Sequence, residues 1–509
     1  MCRTFARPTP AYPGATVPAA RRLAVGAAIL AATLLMAGCA AGPNFKLPPA
    51  PRISGYTAQA LTPTVVTSGN AAGASQRFEW GAAVPGDWWQ LFRSRPLDAL
   101  IAAALKNNPG LQAAQAALRV AYEDVRAQQG AFFPSVSASL AASRQRSSTE
   151  LAPVPFATEF QFSLFTPQVA ISYAPDLFGL TRRTHESLQA QEQAVRFQMV
   201  AARTTLCANV VVTAVQVASL HEQVQATQNL IDLEHQSLAI LQLRLQRGDA
   251  SGLDVAAQQS QLAQAQTALP ALMKQLGQTQ HALAVLTGRF PDQPPLARFS
   301  LAGLHLPGDL PVSLPSALVA QRPDVRQARA NLHAASAAIG IAAAERLPNI
   351  QLTANAGSTA LAISQVVAAG TGFWGLAAAL TAPIFDGGQL LHQERAARAA
   401  YVEAAQQYRS TVLAAFQNVA DTLVALQQDA HGLQAAASAA RAATRTLDLS
   451  QLQLHYGYIG VFELLAAEQA YQQAQTALAL AGANRFADTA ALYQALGGGW
   501  WHNARLDTP

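Results

Sequence analysis

Charge is scarce in this chain: only 12% of its 509 residues are Asp, Glu, Lys or Arg, whereas 51% are hydrophobic. That is about half the charge of an ordinary soluble domain, and it suits long helices packed closely through Ala and Gln. Cysteine is nearly absent. Cys2 and Cys39 lie near the N-terminus and leave Cys207 alone, so no disulfide staples the body of the protein. Four methionines are too few to suggest a binding surface for soft metal ions. The net charge of +5 suggests a basic protein, but Arg3, Arg7, Arg21 and Arg22 account for all but one of those charges. Nothing basic remains to argue for nucleic acid.

Catalytic signatures are missing as well. There is no HExxH, paired CxxC, Walker A or GxSxG, and His185, His221 and His235 are scattered along one stretch without a ligand cluster. Gly370 to Gly375 is formally G-x-G-x-x-G. Roughly seven residues then separate Gly375 from Pro383, too few for the crossover helix of a dinucleotide fold, and Asp386 comes too early for the ribose acid. The expectation is a protein with no cofactor and no metal that is not an enzyme.

Proline and glycine are absent over one long interval, and what fills it is informative. Leu180 to Arg247 contains neither, so roughly 68 residues can form one helix near 100 Å long. From Gln389 to Gly457 about 69 residues without proline match it. Two shorter helices, Asp98 to Ala131 and Leu253 to Thr287, together equal one long one in length, so a long helix can lie against two stacked short ones.

The chain also repeats itself. QAQTAL occurs at Gln264 and again at Gln473. Pro109 and Pro134 are answered by Pro323 and Pro348, SYAPDLFG by LTAPIFDGG, and RGDASGLDV at Gly248 by YGYIGVFEL at Gly457. Each half reads as helix, two strands, then two helices meeting at a glycine turn, so the chain reads as a tandem duplication. The strands rest on alternation: Ile350, Leu352, Ala354 and Ala356 on one face, Gln351, Thr353 and Asn355 on the other, and likewise Val169, Ile171 and Tyr173 against Ala170 and Ser172. Such strands fit a boundary between lipid and a wet lumen, or any half-buried sheet. If they span a membrane, four per chain cannot close a barrel, and an open edge in hydrocarbon is forbidden. Three copies give twelve strands.

The N-terminus carries Arg21 and Arg22, an apolar run from Leu23 to Met36, and then Ala-Gly-Cys. LLMAGC resembles a bacterial lipobox in which Cys39 becomes the acylated first residue, although Met36 stands where Leu is usual; an ordinary signal peptide is the alternative. Ala40 and Ala41 follow, without the Asp linked to inner-membrane retention.

From that lipobox onward, GPNF, DWWQLF, KNNPGLQAA, FFPSVSAS, SYAPDLFG, QRPDVRQA, LPNIQL, APIFDGGQ and ALYQALGGGW occur in order. Together they resemble the outer membrane factors, the TolC-like channels, and most of all the NodT-type lipoproteins of tripartite efflux pumps. The resemblance implies a mixed α and transmembrane β fold: a homotrimeric twelve-stranded outer-membrane barrel, continued by a long α-helical periplasmic barrel. It implies a passive duct exporting small molecules, anchored in outer-membrane lipid and meeting a periplasmic membrane-fusion adaptor and an inner-membrane transporter, most naturally of RND type. On this reading residues 1–38 are a signal peptide and 39–86 a lipidated linker, extended or mobile. Residues 87–290 form the first repeat, 291–315 an equatorial connection, 316–497 the second repeat and 498–509 a tail. Trp88, Trp89, Trp500 and Trp501 read as packing or collar residues.

In the family the helical hairpin turns close the periplasmic end, which points to Gly248, Leu253 and Asp254 in the first hairpin and Gly457, Phe462 and Glu463 in the second. The glycines suit left-handed turns and equally suit plain helix ends. Asp254 and Glu463 would form rings of carboxylates near a constriction, or simply cap their helices. Many relatives carry an Asp nine residues after the second glycine; here Ala466 stands there, which shifts weight to apolar closure by residues such as Phe462. A coiled-coil lipoprotein without a channel is the competing reading, and it leaves the strands placed identically in both halves unexplained.

Replacing Cys39 by Ser should abolish labelling by a fatty-acid analogue. Undiminished label would remove the lipidation reading.

Overall fold

The computed structural model describes residues 40–49, 51, 53, 55–147, 160–294 and 299–502. The signal segment and Cys39 lie outside the described residues. The chain divides into two compact units, one of residues up to 44, 127–187 and 336–399, the other of residues 45–126, 188–335 and 400 onward.

The first unit contains a four-stranded antiparallel sheet in the order β2 (Ser135–Ser147), β3 (Phe160–Tyr173), β5 (Asn349–Ser358), β6 (Gly372–Thr381). Its register sets which side chains share a face. Val136 pairs with Ile171, Ile171 with Ala354, and Ala354 with Leu376; Ala138, Val169, Ala356 and Trp374 form the next such row. One face is therefore continuously apolar. Ser137, Ala170, Asn355 and Gly375 make up the intervening row, and Gln351 donates to Ser172 Oγ on that side. The apolar face is uncovered within the chain: Trp374 is 77% and Leu376 76% exposed. A half-buried soluble sheet would have its apolar face covered, whereas strands of about ten residues with an exposed apolar face suit lipid.

In the same unit the residues after Cys39 are docked. The Ala41 N–H donates to the Phe178 carbonyl at 2.9 Å, and Arg183 reaches the Ala41 carbonyl and Asn44 Oδ1. Gly42, at φ +83°, lies so close to Gly340 that a Cβ on it would stand 2.4 Å from the Gly340 Cα. Here glycine is required for close approach as well as for the left-handed turn.

The second unit is helical. Short helices α1 (Arg95–Asn107) and α2 (Pro109–Gln129) precede the long α3 (Leu180–Arg247), which is followed by α4 (Gly252–Leu286). The second half has α5 (Pro315–Gln321), α6 (Pro323–Ala344), the long α7 (Gln389–His455) and α8 (Val461–Ala495). Helices α2, α3, α6 and α7 begin or end in the first unit. α3 runs for all 68 residues of the interval that lacks proline and glycine. α7 continues for 67 residues through Gly432, and α4 continues through Pro270.

One expected helix, Asp98 to Ala131, is in fact two. Asn108 precedes Pro109 and is driven out of the helical region, to φ −66° and ψ 119°. Its side chain then caps α2 by accepting the Leu111 N–H, and its amide donates to the Leu286 carbonyl. Arg322 before Pro323 breaks the other half in the same way.

Residues 56–85 also depart from expectation. In place of a mobile linker, β1 (Arg77–Trp80) pairs in parallel with β4 (Asp309–Val312). The Tyr56 hydroxyl donates to the Ser313 carbonyl. Arg485 of α8, with no accessible surface, donates to the Ala72 carbonyl at 2.8 Å, Gln76 Oε1 at 2.9 Å and Thr64 Oγ1 at 3.0 Å. Burial lowers its pKa to about 10, which leaves it charged at neutral pH.

The core of this unit joins Trp88, Phe92, Leu97 and Ile101 to Val210, Val211 and Ala214 of α3 and to Val419 and Leu423 of α7. Trp88 stacks on Tyr493 at 5.2 Å, and Trp500 is buried with its indole N–H on the Gln321 carbonyl, so these tryptophans are packing residues. By length and composition α3 could cross a membrane, with a mean hydropathy of 1.4 over its best stretch, but 56% of that stretch is already buried in protein. Cys207 sits in this core, its thiol pushed up to about 12 by burial and so chemically inert.

Replacing Arg485 by Ala strands three buried acceptors and should cost about 3 kcal/mol. Limited trypsin digestion should then cut after Arg77 faster than in the parent; an unchanged rate would show that β1 is held by other contacts.

Candidate channel tip

Both helical hairpins turn in the same way. The Gly248 N–H donates to the Leu245 carbonyl and the Asp249 N–H to the Arg244 carbonyl; Gly457 and Tyr458 repeat the pattern on Leu454 and Gln453. This is the double hydrogen bond of a Schellman motif, and it needs a left-handed residue, supplied by Gly248 at φ +79° and Gly457 at φ +77°.

Beyond the glycines the turns differ. In the first, Ser251 and Asp254 form a full capping box at the start of α4: Ser251 Oγ accepts the Asp254 N–H, and Asp254 Oδ2 accepts the Ser251 N–H at 2.8 Å. Those bonds hold the Asp254 carboxyl below the usual carboxylate range. In the second, Gly460 caps α8 without a side-chain hydrogen bond, and the Glu463 carboxylate lies over the Gly460 backbone. The capping reading of Asp254 is therefore the one its contacts satisfy.

Phe462, 53% exposed, and Leu253, 67% exposed, are not absorbed into their own chain. Tyr456 and Tyr458, also exposed, lie 6.3 Å apart beside Phe462's turn, making the second hairpin the bulkier and more aromatic one. A buried contact of Leu241, Val255 and Val461 ties the hairpins together behind these residues. Arg244 of α3 adds hydrogen bonds to the Leu454 and His455 carbonyls, satisfying the C-terminus of α7. Nothing in the sequence singles out Arg244, because its partners are main-chain atoms about 210 residues away.

The formal glycine motif lies elsewhere. Gly370 is in a turn at φ +91° and Gly372 opens β6, an antiparallel strand, so no helix N-terminus is offered to a phosphate. His221 and His235 each contact a glutamine of α4, Gln280 and Gln266, and stitch the first hairpin together.

A sequence model described as outer membrane efflux protein matches residues 100–289 and 314–498. The chain belongs to the outer membrane efflux protein family. It is 31% identical to the pyoverdine export outer membrane protein OpmQ of Pseudomonas putida, over 86% of this chain and 94% of that one. It is 28% identical to the toluene efflux pump outer membrane protein TtgC of Pseudomonas putida, over 93% and 97%. The CmeC outer membrane channel of Campylobacter jejuni shares the fold with a TM-score of 0.82 at 22% identity, covering 92% of this chain and 97% of that one. As a member of the outer membrane efflux protein family, the chain is an outer-membrane channel component of an efflux system.

Replacing Ser251 by Ala should cost the first turn of α4 about 1 kcal/mol, roughly a fivefold faster hydrogen exchange at residues 253–255. The start of α8, capped by glycine, should not change. Because the Asp254 carboxyl is held low, its side of the box is present above the ordinary carboxylate pKa and lost only as pH falls through the lowered value.

Proposed function

We propose that three copies close a twelve-stranded barrel by pairing the β2 edge of one chain with the β6 edge of the next, and that the helices continue it as a periplasmic tube. The observation that carries this reading is the sheet itself: among the described residues both of its edges are open, and Val136, Leu140, Ile171, Trp374 and Leu376 are exposed on its apolar face. Unpaired strand edges cannot stay in hydrocarbon, and identical copies supply the missing partners. The chain is then a lipid-anchored passive duct, acylated at Cys39, with no cofactor and no catalysis.

The repeated order of helix, two strands and two helices supports an internal duplication with the boundaries given above. Three chains with two hairpins each present a pseudo-sixfold ring of turns, suited to a ring of adaptor hairpins and, through it, to an RND-type transporter that supplies the energy. Relatives named for pyoverdine export and for toluene efflux differ widely in cargo, which fits a duct that leaves selection to the pump. The cargo class is small molecules, drugs or toxic compounds among them.

At the tip the second hairpin supplies the inner closure. Phe462 and its neighbouring tyrosines are long enough to meet across a threefold axis, whereas Ala250 and Ser251 are not. Leu253, Asp254 and Glu463 line the approach. Replacing Phe462 by Ala should raise single-channel conductance of the purified trimer and admit a large antibiotic such as vancomycin, and Leu253→Ala should do so less. Unchanged conductance in both would move the seal to the carboxylates.

A further inference from the structure

Two glutamates lie inside the joint between the hairpins. Glu234 on α3 and Glu468 on α8 have no accessible surface, and neither does Gln258 on α4 beside them. Ser237 offers Glu468 Oε1 a long hydrogen bond of 3.5 Å, and Gln258 donates to the main-chain carbonyl of Glu234. Both carboxyl oxygens of Glu234, Oε2 of Glu468 and Oε1 of Gln258 have no partner. The site holds four unsatisfied acceptors, and a carboxylate pair there would add two anions with no cation between them.

The surrounding helices supply none. Asp232 and His235 on α3, Arg441, Arg445 and Asp448 on α7, and Glu463 on α8 are exposed, and Asp254 on α4 is engaged with Ser251. Arg244 is committed to the α7 carbonyls. Among the described residues neither glutamate has an ion-pair partner. Apolar side chains close the joint on both sides, Val255 and Val461 toward the turns, and Leu233, Leu447 and Leu464 around the acids.

We propose that Glu234 and Glu468 form a proton-operated latch between the two hairpins: with carboxyl protons present α8 stays packed on α3 and α4, and their loss to solvent leaves facing anions in an apolar seam that push α8 away. For the two Glu234 oxygens, which have no partner, the donor at hand is a carboxylic acid proton itself. Burial raises both groups to about 7; for Glu234 the neighbouring Glu468 adds to the shift, while for Glu468 hydrogen bonding from Ser237 and Gln258 opposes burial without cancelling it. Raised acids favour the packed state fully below the ordinary carboxylate value; that advantage fades as pH rises toward about 7 and is gone above it. Only the consequence for conduction rests on the reading of the tip as the gate.

The test is hydrogen exchange of the intact protein in detergent, comparing wild type with a Glu234→Gln, Glu468→Gln double variant, which mimics the neutral pair at every pH. Exchange in the first half of α8, relative to the variant, should rise at least about tenfold between pH 5 and 7.5. The comparison cancels Asp488, another α8 acid pushed up to about 7. A constant ratio overturns the latch. If the double variant fails to assemble, the infrared band of protonated carboxyl at pH 6 should be weaker in Glu468→Gln than in wild type, and equal bands overturn the proposal. Conductance of the same samples separates the two ideas: exchange that responds to pH while conductance does not supports the latch and removes the hairpin joint from the gate.

Discussion

Backbone N–H and C=O groups in hydrocarbon must find partners within protein, and most of this architecture follows from that constraint. β3 and β5 satisfy it inside the chain, whereas β2 and β6 each have one free side. The register that aligns Val136, Ile171, Ala354 and Leu376 makes one face of the sheet suited to lipid and unsuited to water. On the proposed reading a single chain is an incomplete membrane protein, and the trimer completes it without a new kind of contact. The long helices answer a related need: a duct that reaches across the periplasm requires rods, and the proline-free stretches provide them.

The second unit shows how long helices are held together. Its core joins Trp88 and Phe92 to aliphatic residues of α3 and α7 and to Phe486 and Tyr493 of α8, and it is braced by a segment from outside the helices. Arg485 is central to that brace: its buried guanidinium donates to carbonyl and amide oxygens and one hydroxyl, and the nearby Asp429 carboxyl favours its charge. Away from that core the hairpins rely on smaller devices: glycine turns, the Ser251 box, and Arg244 on the free carbonyls of α7. These hold shape locally while leaving the joint between hairpins to a few aliphatic side chains and a pair of acids, which suits a place that must be able to move.

Much of this was legible in the residues. The interval from Leu180 to Arg247 became one helix with those bounds, and alternation in Ile350 to Ala356 placed a strand with the faces in the right sense. What was hidden depends on partners distant in the chain. β1 and β4 are four residues each and carry no periodic signal; they are strands because they pair with each other across about 230 residues. The break at Asn108 follows from Pro109, and the Asn107, Asn108 and Gly110 around it are weak helix formers, a signal that the reading of one helix from Asp98 to Ala131 passed over. At the tip, Gly248 and Gly457 could be read from the sequence alone, whereas nothing in the sequence singles out Glu234 on α3 or Glu468 on α8. Only the packing of α8 against α3 and α4 puts them inside.

Cross-linking of the sheet edges addresses the central claim most directly. In a Cys207→Ser background, pairs of cysteines are placed on β2 and β6, for instance Leu140→Cys with Leu376→Cys and the neighbouring positions along each strand, and oxidised in outer membranes. Closure by three copies predicts that some pairs form intermolecular disulfides and that the covalent ladder ends at three chains. A ladder that stops at two or runs past three, or no cross-link at any register in folded protein, would contradict it.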